Sequence, residues 1–151
     1  MLEKIINFIS KKKWRFTSVE DESRIVIAIK GINGTFQCFA DAREEEEQFI
    51  FLSICSVNVP DDRKLLMCEL LTRLNYGLFL GNFEMDYEDG EVRYKTSICC
   101  NSSELTDNIL EHIIMINIVM MDTALTGIMK LIYGDITAKE AYDIIEDTKS
   151  E

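Results

Sequence analysis

Hydrophobic and polar residues alternate along several stretches in the first half of the chain. Apolar side chains fall on every second position in residues 24–30 and again in residues 35–42. Such alternation predicts strands with one buried face. Residues 14–19 and 49–56, which are rich in β-branched and aromatic side chains, predict two further strands. The turn at residues 31–34 contains Gly and Asn, so we predict an antiparallel meander.

A second region of alternation predicts a β-hairpin between residues 79 and 98. Its two stretches, 79–87 and 91–98, flank the turn-forming pair Asp89-Gly90. The apolar face fixes the register, because a slip of one residue would expose that whole face. On the other face Glu84 and Asp86 can pair with Arg93 and Lys95. Gly81 lies inside the first stretch and indicates a bulge or a close backbone approach.

Apolar residues at helical spacing predict four helices. The first covers residues 2–12, and the second begins at Pro60 and ends at residues 75–77. A third, long helix covers residues 103–133 after an Asn101/Glu104 capping box. A last short helix ends near residue 145 and begins with a second capping box, Thr137/Glu140.

The long helix is apolar nearly all round in its middle. Met115 and Ile118 interrupt the polar stripe on which Glu104, Asn108, Glu111, Asp122 and Thr126 lie. A helix that is apolar on several sides is buried on more than one of them. One sheet covers only one side. We expect helix 2–12 and the final helix to cover part of the remainder, and a second copy of the chain or a partner segment to cover the rest.

Composition and charge favour one soluble domain covering residues 1–151. The chain is 47% hydrophobic and 28% charged, which is typical of a folded globular protein. Its net charge of -11 argues against nucleic acid and anionic membranes as partners, because both require a basic surface. The N-terminal stretch lacks the apolar core of a signal peptide, and a cytoplasmic location is expected.

The residues that usually carry chemistry do not form a recognisable motif. The five cysteines have no C-x-x-C spacing, so neither a zinc site, a redox motif nor a disulfide is expected. His112 is the single histidine, and its apolar helix predicts a core or boundary position. No nucleophile elbow or phosphate loop is present, and the acidic residues before Gly90 do not fit a calcium loop. The sequence predicts no enzyme, cofactor or metal.

The segment VPDDRKLLMCELLTRLNYGLFLGNFEMDYEDGEVRYKTSI resembles the YbjN family, most closely its cyanobacterial-type branch. The family-motif residues are Pro60, Arg63, Asn75, Gly81, Asn82, Gly90 and Arg93. The resemblance implies an α+β fold similar to type III secretion chaperones. It has a twisted antiparallel sheet of about five to six strands, with helices before, within and after it (α-β-β-β-α-β-β-α). We expect the motif residues to be structural.

The resemblance implies a non-enzymatic protein-binding module, chaperone-like or regulatory, such as a sensory-transduction regulator. Its partners would be unidentified proteins, with a homodimer as one form. We predict a partner-binding face at Met115, Ile118 and Met121. The alternative is a small-molecule-binding protein or small enzyme with an unrecognised pocket. The residues best suited to that pocket are Asn75, Asn82, Arg93, Tyr94 and His112.

Overall fold

An open antiparallel sheet forms the centre of the molecule. The computed structural model describes residues 1–19 and 23–149. In these residues the sheet has six strands, in the order β1-β2-β3-β4-β6-β5. They are β1 (Phe16–Ser18), β2 (Arg24–Lys30), β3 (Thr35–Arg43), β4 (Gln48–Ile54), β5 (Asn82–Met85) and β6 (Val92–Cys99). The predicted α+β class and antiparallel sheet are confirmed.

Helices precede, interrupt and follow the strands. They are α1 (Leu2–Lys11), a short 3-10 turn (Asp61–Arg63), α2 (Lys64–Tyr76), α3 (Asp107–Tyr133) and α4 (Ala138–Lys149). Within the described residues the order is α-β-β-β-β-α-β-β-α-α. It agrees with the strands and helices predicted one by one from the pattern, and it has one strand and one helix more than the order implied by the resemblance.

Alternation along the strands separates a buried face of the sheet from an open one. The buried side chains include Ile25, Ile27, Phe36, Cys38, Phe49, Phe51, Val92 and Tyr94. The opposite face has exposed positions at Ala28, Gln37 and Ser97. Its centre carries the partly exposed apolar side chains Val26, Phe39, Ile50 and Ile54. The helices therefore cover one face, and we name the other the open face.

Helix α3 crosses the buried face and is tied to it by hydrogen bonds. The fully buried Asn117 amide donates to the carbonyl oxygens of Phe51 (2.9 Å) and Tyr94 (3.1 Å). The Thr96 hydroxyl donates to the Ile113 carbonyl at 3.1 Å. These bonds span β4, β6 and α3, and they pair the Asn117 N–H groups and the Thr96 hydroxyl, which would otherwise be costly to bury.

Helix α4 covers a second side of α3, as expected for the final helix, while the second copy expected on the rest of α3 stays a prediction. Gly127 allows this close packing, because a Cβ at that position would come within 2.5 Å of the Ala141 carbonyl oxygen and 2.6 Å of the Ile145 side chain. Ala141 and Ile145 are fully buried. The intramolecular contact with α4 supplies the second buried side that the apolar pattern predicts.

The start of α3 differs from the sequence prediction. Asn101 and Glu104 do make the reciprocal bonds of a capping box, but they close an isolated turn. The helix begins later, with Thr106 as its N-cap accepting from the Ile109 N–H at 3.3 Å. The second predicted capping box is present: Glu140 accepts from the Thr137 N–H at 2.8 Å, and Thr137 accepts from the Glu140 N–H at 3.2 Å.

Helix α3 is long and apolar enough to cross a membrane, and within the described residues it is the one helix that is. Half of its most apolar stretch (50%) is buried inside the protein. Its polar residues Asn117 and Asp122 are also buried, and both bind backbone groups of the sheet and its turns. These are the contacts of a core helix.

Candidate interaction surface

Gly81 makes the close backbone approach that its position in the sequence predicts. Its φ is +78°, and a Cβ there would lie 2.7 Å from the Lys95 carbonyl oxygen and 2.8 Å from the Tyr94 hydroxyl. Tyr94 is fully buried and donates its hydroxyl hydrogen to the Leu80 carbonyl. Burial raises the pKa of Tyr94 to about 12, so the hydroxyl remains a donor at neutral pH.

Asn75 closes the outer edge of the sheet at β5. Its side-chain oxygen accepts from the Phe83 N–H at 2.8 Å, and its amide donates to the Phe83 carbonyl at 3.0 Å. The side chain thus takes the place of a neighbouring strand on an edge strand, where unpaired backbone groups invite association with another chain.

The turn of the β5–β6 hairpin is fastened to the start of α2. Gly90, with φ +79°, accepts at its carbonyl from the Val59 N–H at 2.8 Å. Pro60 follows directly and caps the 3-10 turn, in which Arg63 lies 3.9 Å from Asp62. The Lys64 amine donates to the Tyr87 carbonyl at 2.8 Å. These contacts place Gly90, Val59 and Lys64 in the support of the hairpin, with Pro60 and Arg63 in the short segment between them.

A charged cluster covers the hairpin on the open face. Glu84 accepts from Arg93 at 2.9 Å, from Asn82 at 3.1 Å and from Lys95. Burial opposes ionisation of Glu84, but the bonds from Lys95, Asn82 and Arg93 outweigh it, so its pKa is lowered. The predicted cross-strand pairing is present for Glu84, whereas Asp86 accepts from the Glu88 N–H in the turn (2.9 Å).

The residues proposed for a small-molecule site do not converge on one pocket. Asn82 and Arg93 both donate to Glu84 on the open face, whereas Asn75, at the end of α2, binds the Phe83 backbone at the sheet edge. Tyr94 is fully buried. His112 is exposed on α3, which corrects its expected core or boundary position. The alternative function therefore has no site built from these residues.

The buried cysteines are poorly suited to nucleophilic chemistry. Burial raises the pKa of Cys38 to about 12 despite its contact with the Ser53 hydroxyl (3.1 Å), and burial also raises the pKa of Cys55. A thiol with a raised pKa stays protonated at neutral pH, and the thiolate is the reactive form. In residues 1–19 and 23–149, no three His, Cys, Asp or Glu side chains are placed to hold a metal ion.

The predicted partner-binding face on α3 is partly buried in the chain itself. Met121 is completely buried and Ile118 is 8% exposed, whereas Met115 is partly exposed. Met121 is therefore a core residue, and its prediction as an interface residue is wrong. In the middle of α3 the apolar side chains with the largest exposure are Val119 (53%) and Ile116 (37%).

An apolar groove lies beside Val119, between α3, the β2–β3 turn and the segment after α1. Two cavities of about 540 and about 300 Å³ form it, and they share Lys30, Gly31 and Ile118 as lining residues. Trp14 lines the smaller cavity, and Ile32 and Val119 line the larger one. We name this feature the α3 groove.

The wall of the α3 groove is held in place by Asp122. Its carboxylate accepts from the backbone N–H groups of Ile32 (3.0 Å) and Asn33 (2.9 Å) and from the Asn33 amide (3.3 Å). The turn is thereby fixed while the Ile32 side chain remains 96% exposed. The sequence analysis did not identify Ile32 as a candidate surface residue. Its position, a bulky apolar side chain within a Gly-Asn turn, is a signal that could have identified it.

Solved structures similar to this chain confirm the predicted fold. YbjN from E. coli matches with a TM-score of 0.57 and 9% sequence identity, over 99% of this chain and 92% of that chain. The HopA1–SchA chaperone–effector complex matches with a TM-score of 0.51 and 15% identity, over 80% of this chain and 88% of that chain. The likeness to type III secretion chaperones is therefore a likeness of fold.

The family comparison covers most of the chain. No curated protein matches the sequence significantly. The model of the YbjN family, described as "Putative bacterial sensory transduction regulator", matches residues 2–128. With that match and the shared fold, the chain belongs to the YbjN family.

Proposed function

We propose that this chain is a non-enzymatic protein-binding module with a regulatory or chaperone-like role. The observation that carries the proposal is the α3 groove, where Ile32 and Val119 are exposed beside the nearly buried Ile118. Adjoining apolar side chains that remain in contact with water mark a docking surface more often than isolated ones do. Ile118, one of the residues predicted from the sequence, lines this surface, and we propose that the partly exposed Met115, one turn earlier on α3, extends it.

The relatives support the same class of function. The family description is that of a sensory-transduction regulator, and the HopA1–SchA complex joins a chaperone to an effector. In the described part of this chain the buried thiols are protonated and the candidate ligand residues are occupied by structural partners. Binding therefore accounts for the exposed groups better than catalysis does.

We extend the proposal to three finer points. The chain acts as a single cytoplasmic domain and belongs to the cyanobacterial-type branch, on the basis of the motif residues between Pro60 and Arg93. It forms a homodimer, for which the open face is the better-supported surface, since α4 covers the Gly127 side of α3 and the α3 groove is assigned to the partner protein. Val26, Phe39 and Ile50 give that face an apolar centre that a second copy could bury. Light scattering of the purified chain tests the dimer.

Affinity capture from the native cell lysate tests the binding function. The full chain is compared with Ile32→Asp, which places a charge on the groove, and with Leu65→Asp. Leu65 is a matched control, because it is an exposed apolar residue (75%) on α2 and does not line the groove. We expect the wild type and Leu65→Asp to retain the same protein, and Ile32→Asp to lose it with an unchanged melting temperature.

Two results would contradict this proposal. The first is that the wild type retains no protein above background. The second is that all three chains retain the same protein, which would move the binding surface away from the groove. A ligand-induced thermal shift in the absence of any partner would favour the small-molecule alternative instead.

A further inference from the structure

The free cations of this acidic protein are unevenly distributed. In the described residues, most Lys and Arg side chains donate to a carboxylate or a carbonyl, such as Lys11 to Asp107 and Arg73 to Glu69. Those with no such partner are Lys13, Arg15, Lys30 and Lys130. Free cations in a chain of net charge -11 are notable, because carboxylates outnumber Lys and Arg by 27 to 16.

One of these four cations lines the α3 groove, and two others flank a lining residue in the sequence. Lys30 lines both of its cavities. Lys13 and Arg15 are exposed and adjoin Trp14, which lines the smaller cavity. Lys130 lies further along α3 and lines neither cavity. The apolar groove is thus bordered by positive charge that no residue of the described chain neutralises.

The carboxylate inside the groove does not offset these cations. Asp122 directs its oxygens to the backbone of the β2–β3 turn, where three N–H groups of Ile32 and Asn33 bind them. Glu111, earlier on the same helix, is paired with Lys12. An incoming anionic group would therefore meet free donors at Lys13, Arg15 and Lys30.

We infer that the α3 groove binds an acidic amphipathic segment of a partner protein, an inference that rests on the proposed function. Apolar side chains of the segment pack against Trp14, Ile118 and Val119, and its carboxylates meet Lys13, Arg15 and Lys30. Burial of apolar area drives the association, and complementary charge fixes position and speeds encounter. The remaining surface, with its excess of acids, repels the same segment, so this charge pattern also provides specificity.

Photo-crosslinking identifies the chemistry of the occupant. A photoreactive amino acid replaces Val119 in the full chain, and the cross-linked peptide from native lysate is identified by mass spectrometry. We expect a protein segment rich in Asp and Glu with interspersed apolar residues. A basic or uncharged segment, a nucleic acid, a lipid or a second copy of this chain would overturn the inference.

Charge reversal tests the role of the cations. Lys30→Glu and the double change Lys13→Glu/Arg15→Glu are compared with Lys130→Glu, which carries the same reversal on a free lysine outside the groove. We expect each groove variant to weaken binding of the cross-linked partner by at least about tenfold at low salt, and Lys130→Glu to leave it unchanged. The difference should shrink as ionic strength rises, because salt screens surface charges.

Different results would contradict the binding function and the acidic character of the partner. If Ile32→Asp abolishes capture while the groove reversals do not change affinity, the binding function stands and the acidic partner is wrong. If the wild type captures no protein, the proposed function itself is wrong. Equal losses in Lys30→Glu and Lys130→Glu would show that overall charge, rather than the groove, controls binding.

Discussion

Single residues of the central hairpin are constrained by backbone geometry, and Gly81 is the clearest case. We expect Gly81→Val to lower the free energy of unfolding by about 1–3 kcal/mol, because φ is positive and the new side chain would meet the Lys95 carbonyl. Urea denaturation measures this loss. Gly77→Ala is the control: a Cβ there meets nothing within 4 Å, so we expect a change below about 1 kcal/mol. Equal effects at the two positions would contradict the account.

Glu84 makes the stability of the folded chain depend on pH. Its pKa is lower in the folded chain than its ordinary value, so its contribution to stability is complete above the ordinary value and is lost as pH falls through the lowered one. We expect Glu84→Gln to melt below the wild type at pH 7, with a gap that closes on acidification. Thermal melts between pH 7 and pH 3 check this. Glu45→Gln, at an exposed turn position, should show no such gap.

At the scale of elements, the end of α2 protects the edge of β5. Asn75→Asp keeps the acceptor for the Phe83 N–H but replaces the donor to its carbonyl with a charged oxygen. We expect a loss of about 1–3 kcal/mol and faster hydrogen exchange in β5. The same change at the exposed Asn7 of α1 is the control. Unchanged exchange in β5 would show that Asn75 does not protect this edge.

Local sequence signals predicted the presence of helices and strands better than the residues at which they begin and end. Strand β2 begins and ends at the predicted residues, because Gly31 and the turn after it limit the alternation. The start of α3 was predicted too early, since Asn101 and Glu104 make the same reciprocal bonds in a single turn as in a helix. Capping chemistry is local, and it does not report whether the following residues continue the helix.

At the scale of the whole molecule, the sequence predicted that α3 is buried on several sides and that the final helix covers part of it, but it could not show where the two helices meet. Helix α4 packs closely against α3 at Gly127. This contact depends on Ala141 and Ile145, which come later in the chain. The same limit applies to the groove. Trp14, Ile32 and Val119 are far apart in sequence, and only the fold brings them to one place.

Neither a disulfide nor a metal site cross-links the described residues. The five cysteines are free, and no group of metal-ligating side chains is present. We therefore expect EDTA or a reductant to leave the melting temperature unchanged in scanning calorimetry. A fall of more than about 4 °C with either reagent would correspond to a lost stabilising interaction and would contradict this expectation.

Hydrogen exchange of the chain, alone and with its captured partner, tests the central claim most directly. The account predicts protection of the amides around the α3 groove, in the segment from Lys13 to Arg15 and in the middle of α3, with little change on the open face. Protection confined to the open face, or to the hairpin between Gly81 and Arg93, would contradict the α3 groove as the partner-binding surface.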